Sequence, residues 1–432
     1  MTMKVGLVSL GCAKNLVDSE MILSLFQRNG FEIVNDENNA DILVVNTCGF
    51  IEASKQESID TILKMTRLNK ITIVTGCLVE RYKEELEKEL PEVDLFLAIR
   101  DYPHFSELVT ALLKSKRLQG ELDLNQRVLA TEKFTAYLKI SEGCNNRCTY
   151  CAIPLIRGSF VSVGKSEILS QARALQKRGV KELVVISQDT TRYGQDIQED
   201  QTDIVDLLKS LLEIKEFAYI RLLYLYPDEI TDDLIDLIGS EPRLTPYFDI
   251  PIQHCSDRIL KAMHRRGSKE ELIALFQKIR VKVPSAVLRT TLIVGFPGES
   301  DEDFEELVEF VKEIEFDHLG AFTYSREEET PAYDFPDQIA ENVKKSRYKR
   351  IMRVQQAISR KRNRARIGEI HQGIVVDRTD EGLYGLRSHF NAPDDIDGKI
   401  VFSAWKALNI GDIVEVRITA CDSYDLYGEL ID

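Results

Sequence analysis

Residues 144–151 read Cys-Asn-Asn-Arg-Cys-Thr-Tyr-Cys. Three thiols stand at i, i+4 and i+7, and no fourth cysteine follows nearby. A structural zinc site wants four ligands in a closed shell, usually from paired C-x2-C elements. An electron-transfer cluster wants four cysteines, one for each iron. Three thiols around a 4Fe-4S cube leave one iron without a protein ligand, open to bind and activate a small molecule. The competing reading is a zinc knuckle whose fourth ligand comes from far along the chain.

A second set of three is Cys12, Cys48 and Cys77. Each follows an apolar strand-like run (residues 4–10, 42–46 and 71–75) and each adjoins a glycine: Gly11-Cys12, Cys48-Gly49, Gly76-Cys77. Amphipathic stretches at 19–28 and 54–68 separate the runs. Strands alternating with helices predict a doubly wound parallel sheet over residues 1–127. Such sheets bind ligands beyond the carboxyl ends of their strands. The three cysteines are therefore expected to converge there, with glycines that let backbone approach a bulky group. A second cluster with its own open iron follows; three buried core thiols are the alternative. Cys255 and Cys421 have no partner by spacing and read as buried thiols.

Residues 130–341 must position the first triad. Six strand-like runs (134–140, 182–187, 219–224, 247–251, 287–293 and 318–324) alternate with helical patterns such as 166–178 and 301–314. They predict a partial (β/α)6 barrel with its chemistry at the strands' carboxyl ends. The cysteine loop follows the first strand. Ser187-Gln188-Asp189, Gln253-His254, Gly295-Phe296-Pro297-Gly298-Glu299 and Tyr324-Ser325 follow later ones. His254 reads as a hydrogen-bonded core histidine. Arg221, inside the third strand, is a buried charge in need of a partner: a bound carboxylate, or an acidic residue lining the barrel.

The rest is a basic helix and a small acidic module. Residues 342–366 hold eleven Lys/Arg and no Asp/Glu, while 367–432 hold five basic and thirteen acidic residues, a net of 5 − 13 = −8. The basic run is either a solvated helix face or a contact for an RNA backbone. Regular glycines among short alternating strands in 367–432 predict a small β-barrel. The whole chain of 432 residues carries −15, which argues against nucleic-acid binding by its overall field. No apolar run approaches the roughly 20 residues of a membrane span. Eight cysteines without a secretory signal point to metal or catalysis in the cytoplasm.

Four stretches carry a closer match: Ser9-Leu10-Gly11-Cys12-Ala13-Lys14-Asn15, Ser141-Glu142-Gly143-Cys144-Asn145, Tyr324-Ser325 with residues 327–330, and Tyr424-Asp425-Leu426-Tyr427-Gly428. With the two triads and the barrels, the chain resembles the methylthiotransferase family of radical S-adenosylmethionine (SAM) enzymes along its whole length. Within it, the chain is similar to the branch that converts an aspartate of small-subunit ribosomal protein twelve to 3-methylthioaspartate. That branch commonly has Trp where this chain has Tyr427, another large aromatic. The resemblance implies SAM chelated at the open iron of the Cys144/Cys148/Cys151 cluster and cleaved to a 5′-deoxyadenosyl radical. It implies an auxiliary 4Fe-4S cluster on Cys12, Cys48 and Cys77 that carries sulfur, with another SAM as methyl donor. Tyr150, Ser187, Gln188, Arg221, Gln253, Gly295 and Phe296 are the expected SAM contacts; no protein acid or base is assigned. The last module would be a TRAM barrel, whose acidity suits a basic partner. Asp422, Tyr424 and Asp425 are the expected contact with that ribosomal protein or the small subunit. An external electron donor is implied, and tRNA is not expected, because tRNA-modifying relatives tend to have Gln-Met-Asn after the first cysteine. The alternatives are a tRNA adenosine methylthiotransferase and a non-enzymatic iron–sulfur electron carrier, which would waste two open irons.

Overall fold

The computed structural model describes residues 2–114, 116–197, 202–393 and 396–431. Strands β1 (Lys4–Ser9), β2 (Glu32–Ile33), β3 (Ile42–Thr47), β4 (Ile71–Gly76) and β5 (Leu95–Leu97) form a parallel sheet in the order β2-β1-β3-β4-β5. Every residue of β3, Ile-Leu-Val-Val-Asn-Thr, is buried, as a central parallel strand covered on both faces must be. Helices α1 (Ala13–Arg28) and α4 (Phe105–Leu113) pack Ile22, Phe26, Phe105 and Val109 on one face. Helices α2 (Glu52–Thr66) and α3 (Cys77–Glu89) pack Ile62, Met65, Leu78 and Leu86 on the other. The sheet is doubly wound, and its order reverses between β1 and β3. Edge strands β2 and β5 are too short to show an alternating pattern in the sequence.

The second unit opens with β6 (Thr135–Lys139). A ribbon of β7 (Ser141–Glu142) and β8 (Val161–Ser162) encloses the cysteine loop and the short α5 (Ile153–Arg157). Strands β9 (Glu182–Ile186), β10 (Tyr219–Leu222), β11 (Tyr247–Asp249), β12 (Val287–Val294) and β13 (His318–Thr323) follow. They lie as two parallel sheets, β10-β9-β6 and β11-β12-β13. Backbone bonds from Ile220 N–H to the Arg243 carbonyl (2.7 Å) and from Leu225 N–H to the Asp249 carbonyl (2.9 Å) join them into one curved wall. Among the described strands β6 and β13 do not pair, so the six-stranded barrel keeps a seam. Ala136, Leu138 and Ile140 point outward into the core shared with helices α6 (Lys165–Lys177), α7 (Ile204–Leu212), α8 (Asp232–Ser240), α9 (Asp257–Ala262), α10 (Lys269–Lys282) and α11 (Asp301–Ile314). The alternate residue Tyr137 points inward with Val184, Ile186, Leu223, Tyr247 and Val287.

Helix α12 (Glu341–Ala365) leads to a closed barrel of β14 (Ile370–Arg378), β15 (Tyr384–Ser388), β16 (Ile400–Ser403), β17 (Ile413–Cys421) and β18 (Leu426–Leu430). This small barrel stoppers the end of the large one where the strands begin. Val375, Tyr384, Leu386 and Phe390 share a core with Tyr137, Val184, Tyr247 and Val287. The polar rim is paired too: Tyr247 donates its hydroxyl to Asp397 at 2.6 Å, and Arg387 meets Glu182 at 3.1 Å. Much of the basic helix is not a solvated face. Arg347 pairs with Glu299 and Asp301, both at 2.7 Å, and Arg362 and Arg366 hold buried Asp317 at 2.7 and 2.6 Å. Cys255 is buried as expected, but Cys421 is only half-buried, because it ends β17 at the small barrel's rim. Among the described residues no helix is long and apolar enough to cross a membrane.

Candidate active site at the carboxyl ends of the strands

Three helices begin where β1, β3 and β4 end, and each brings a cysteine. Cys12 is the N-cap of α1, Cys48 lies in the turn before α2, and Cys77 is the first residue of α3. The positive ends of the α1 and α3 dipoles thus lie beside Cys12 and Cys77, which favours an anion such as a thiolate-bound cluster. The approach is close: a Cβ on Gly11, whose φ is +87°, would sit 2.9 Å from the Cys48 Cβ. Burial pushes the Cys77 thiol up to about 12, against the pull of Arg157, and raises Cys48 as well. Ionising these thiols near neutral pH is work for the metal itself.

The second triad sits on the loop after β7. Gly143 holds φ +77°, and a Cβ there would lie 2.2 Å from the Ser159 carbonyl oxygen, so only glycine lets the loop fold back on Gly158-Ser159. Cys144 donates its N–H to the Gly158 carbonyl (3.2 Å), and Cys151 to that of Cys148 (3.0 Å). Burial raises Cys144 and Cys151, whose thiols also feel Cys148. Buried Arg265 stands behind the loop, 3.8 Å from the Cys148 sulfur and 3.3 Å from the Tyr150 hydroxyl. Among the described residues no three His, Cys, Asp or Glu converge closely enough for one ion. Each triad is instead three thiols with a guanidinium beside one of them. That donor set fits a multi-iron cluster with one thiolate per iron, and the cation offsets its negative charge.

The segment after the second triad packs on the first. Ala152 and Ile156, straight after Cys151, pack on Cys77. Arg157 then reaches into the first domain, 3.4 Å from the Cys77 sulfur, 2.9 Å from Asn15 and 2.6 Å from Asp18, while also meeting Glu142 at 3.4 Å. Lys139 bridges the same two carboxylates, Asp18 at 2.7 Å and Glu142 at 2.9 Å. Burial would raise Glu142, but Lys139 and Arg157 outweigh it and hold the carboxyl at about 2. On the far side, nearly inaccessible Glu327 accepts the Glu52 N–H (2.9 Å) and pairs with Lys55 and Arg81, both at 3.1 Å. Reading along the sequence missed Arg157, Asp18 and Arg265. Only the short distance from Cys151 to Arg157 hinted at the first.

The expected SAM contacts divide. Ser187 and Gln188 do lie beside the cysteine loop: Ser187 bonds Ser141, and Gln188 donates to Glu142 at 2.7 Å while its buried carbonyl oxygen has no partner. Gln253, at φ +69°, keeps a half-buried side chain at the same end. Arg221 corrects the expectation. It reaches back toward the strands' beginnings, donating to Glu182 (3.1 Å) and to the Ser388 carbonyl of the small barrel (2.7 Å), so its partner is an acid of the barrel wall. Gly295 and Phe296 give their N–H groups to Glu299 (2.7 and 3.3 Å), and the Phe296 ring is fully buried against Tyr324 and Phe335. That loop anchors α12 and leaves no free backbone donor there for a ligand. Tyr150 packs its ring beside Phe296 and offers its oxygen to Arg265. His254 is fully buried, and burial drives it down to about 3; its Nδ1 accepts the Ser256 N–H at 3.0 Å. In the small barrel, Asp422 accepts from Tyr424 N–H (2.7 Å), Asp425 N–H (2.8 Å) and the Tyr427 hydroxyl (3.1 Å), and Asp425 accepts from Lys399 N–H at 2.7 Å. Both carboxylates build the turn, which leaves Tyr424 as the open member of that expected contact surface.

Residues 138–311 match the radical SAM superfamily, 367–431 the TRAM domain, and 4–98 an uncharacterized protein family, UPF0004. A protein of Alkaliphilus oremlandii described as ribosomal protein uS12 methylthiotransferase RimO is 47% identical over 99% of this chain and 99% of its own length. A protein of Acetivibrio thermocellus with the same description is 45% identical over 100% and 99%. This chain belongs to the RimO family. Like that family it is a radical SAM methylthiotransferase, whose chemistry draws on iron–sulfur and SAM. The radical SAM methyltransferase TsrM of Kitasatospora setae, solved with cobalamin and a [4Fe-4S] cluster, shares the fold: TM-score 0.55 and 12% identity, over 93% of this chain and 87% of that one. The quoted motifs that mark the RimO resemblance now have structural jobs. Glu327 locks the first domain to the barrel, and Asn15, three residues after Cys12, donates to the carbonyls of Leu10 and Thr47 at 2.7 and 3.1 Å.

Proposed function

We propose that this RimO-family chain replaces a Cβ–H of an aspartate in small-subunit ribosomal protein uS12 with Cβ–S–CH3, using two 4Fe-4S clusters. One is held by Cys144, Cys148 and Cys151, the other by Cys12, Cys48 and Cys77. The observation that carries this reading is the packing of Ala152, Ile156 and Arg157, which follow the second triad, on Cys77 of the first. When bound, the first cluster with SAM would supply a radical able to take an unreactive aspartyl hydrogen, the second group would supply the sulfur, and another SAM would supply the methyl group. The chain's own residues do the rest. Arg265 and Arg157 offset negative charge beside Cys148 and Cys77. The unpartnered Gln188 oxygen and the Gln253 side chain offer polar contacts to SAM at the mouth. Tyr137, Val184, Tyr247 and the small barrel behind them keep the far end dry while a radical lives. Electrons come from an external donor, and the compartment is the cytoplasm.

The test compares uS12 and bulk tRNA from a strain lacking the gene by mass spectrometry, with and without the restored gene. Loss and recovery of a methylthio group on a uS12 aspartate is the expected result. An unmodified adenosine in tRNA with unchanged uS12 would select the tRNA-modifying alternative.

A further inference from the structure

Six of the eleven cations of residues 342–366 are used inside the molecule. Lys344 bonds the Tyr324 carbonyl and Glu341, Arg347, Arg362 and Arg366 hold buried carboxylates, and Arg350 and Lys361 meet Glu305 and Glu315. The other five, Lys345, Lys349, Arg353, Arg360 and Arg364, are exposed. At 3.6 residues per turn they fall within roughly a 100° arc, on a stripe about 28 Å long. Arg360 stands near Asp422. Lys345, Lys349, Arg353 and Arg364 have no ion pair among the described residues. On other helices exposed cations face acids, as Lys278 faces Asp232 and Lys282 faces Asp236, each at 2.8 Å. Like charges at i, i+4, as in Lys345/Lys349, Lys349/Arg353 and Arg360/Arg364, destabilise an isolated helix. A chain of net charge −15 has carboxylates to spare, yet none lies on this helix between residues 342 and 366.

The stripe has direction. Its first residues adjoin Lys344, which bonds Tyr324 at the cysteine end of the large barrel; its last adjoin the small barrel. Two half-exposed rings flank it: Tyr348 of the helix at 38% and Tyr424 of the β17–β18 turn at 44%, close enough to feel one another. A row of cations at helical spacing neutralises successive phosphates, and exposed aromatics beside it offer stacking surfaces. An acidic protein would meet these rings less well than unstacked bases would.

We propose that this face of α12 grips the backbone of small-subunit ribosomal RNA beside the site of uS12, so that the enzyme acts on the ribosomal particle rather than on the free protein. The inference rests on the uS12 reading above. RNA held along the stripe lies against the cysteine end of the barrel, which brings its neighbouring protein to the mouth.

The experiment uses the reconstituted full-length enzyme and a variant carrying Lys345→Gln, Lys349→Gln, Arg353→Gln and Arg364→Gln. Small subunits from the deletion strain, free uS12 and bulk tRNA are the binding partners and substrates. Four neutralised phosphates give a log–log salt slope of about −3, so the parent should lose about 60-fold in affinity for the subunit between 50 and 200 mM salt. The variant should bind subunits far more weakly with a nearly flat slope, and modify them more slowly. Its 5′-deoxyadenosine yield and its methylthiolation of free uS12 should match the parent. Equal subunit binding and equal slope in the variant would overturn the proposal, as would parental binding to tRNA as tight as to subunits. No methylthiolation of uS12 in any form by the parent would instead overturn the functional reading, and with it the identity of the RNA.

Discussion

Arg157 gives one guanidinium to two domains: Cys77, Asn15 and Asp18 on one side, Glu142 on the other. Removing one member of a buried ion network leaves its partners charged and unpaired, at a cost of about 3–5 kcal/mol. Arg157→Gln is therefore expected to lower the iron bound per chain toward the content of one cluster while reductive SAM cleavage persists; Arg157→Lys should recover part of the iron, since it keeps charge but loses the fork. Iron analysis after anaerobic reconstitution, alongside 5′-deoxyadenosine yield, checks both. The cysteines divide the same way. Cys148→Ala should abolish SAM cleavage, whereas Cys48→Ala should leave cleavage largely intact and stop sulfur insertion. Parental rates of methylthiolation by Cys48→Ala would refute the auxiliary role. The cysteines were legible in the sequence because their spacing is itself chemical information. The guanidiniums were not, because their targets are remote: Arg221 lies 39 residues from Glu182 and 167 from Ser388. A buried arginine shows that a partner exists without showing which.

The joint between α1 and the β6–β7 segment depends on the ionised Glu142 carboxylate. Glu142, held at about 2 in the fold against an ordinary 4.5, stabilises the folded state above the ordinary value and loses that contribution as pH falls through the lower one. Protection from hydrogen exchange along α1 and β7, corrected for the intrinsic rate at each pH, should fall between about pH 4.5 and 2, before that of β3, which is buried throughout. Glu142→Gln should remove much of that acid step and leave a joint that exchanges faster at pH 7. At this scale the sequence showed the long elements well, since the continuous apolar run of β3 and the helical spacing of apolar residues in α11 are both clear signals. It misread the loop at 295–299. Glycine and proline there do mark a turn at a strand end, but Glu299 turns inward to cap the Gly295 and Phe296 amides and to hold Arg347 of α12. A cap and a ligand loop have the same composition; only the direction of one carboxylate distinguishes them.

Taken whole, the small barrel is part of the large barrel's core and not a tethered accessory. Removing residues 367–432 would bare Tyr137, Val184, Tyr247 and Val287 and strand Arg221, Glu182 and Arg289 without their small-barrel partners. The truncated chain is expected to be insoluble or rapidly proteolysed, where excision of an independent module would leave folded residues 1–366; limited proteolysis and sedimentation separate the two outcomes. The same stopper governs traffic. With the strand-starting end closed, the cysteine mouth is the end left for SAM, its fragments and the protein substrate on the reading proposed above. Arrival and departure then compete for one doorway. If the ribosomal particle docks there as proposed, it would hold spent methionine and nucleoside inside until it lifts away, and turnover would become a matter of queueing: each visit would admit one exchange of small molecules, with the dwell time of the particle setting the pace.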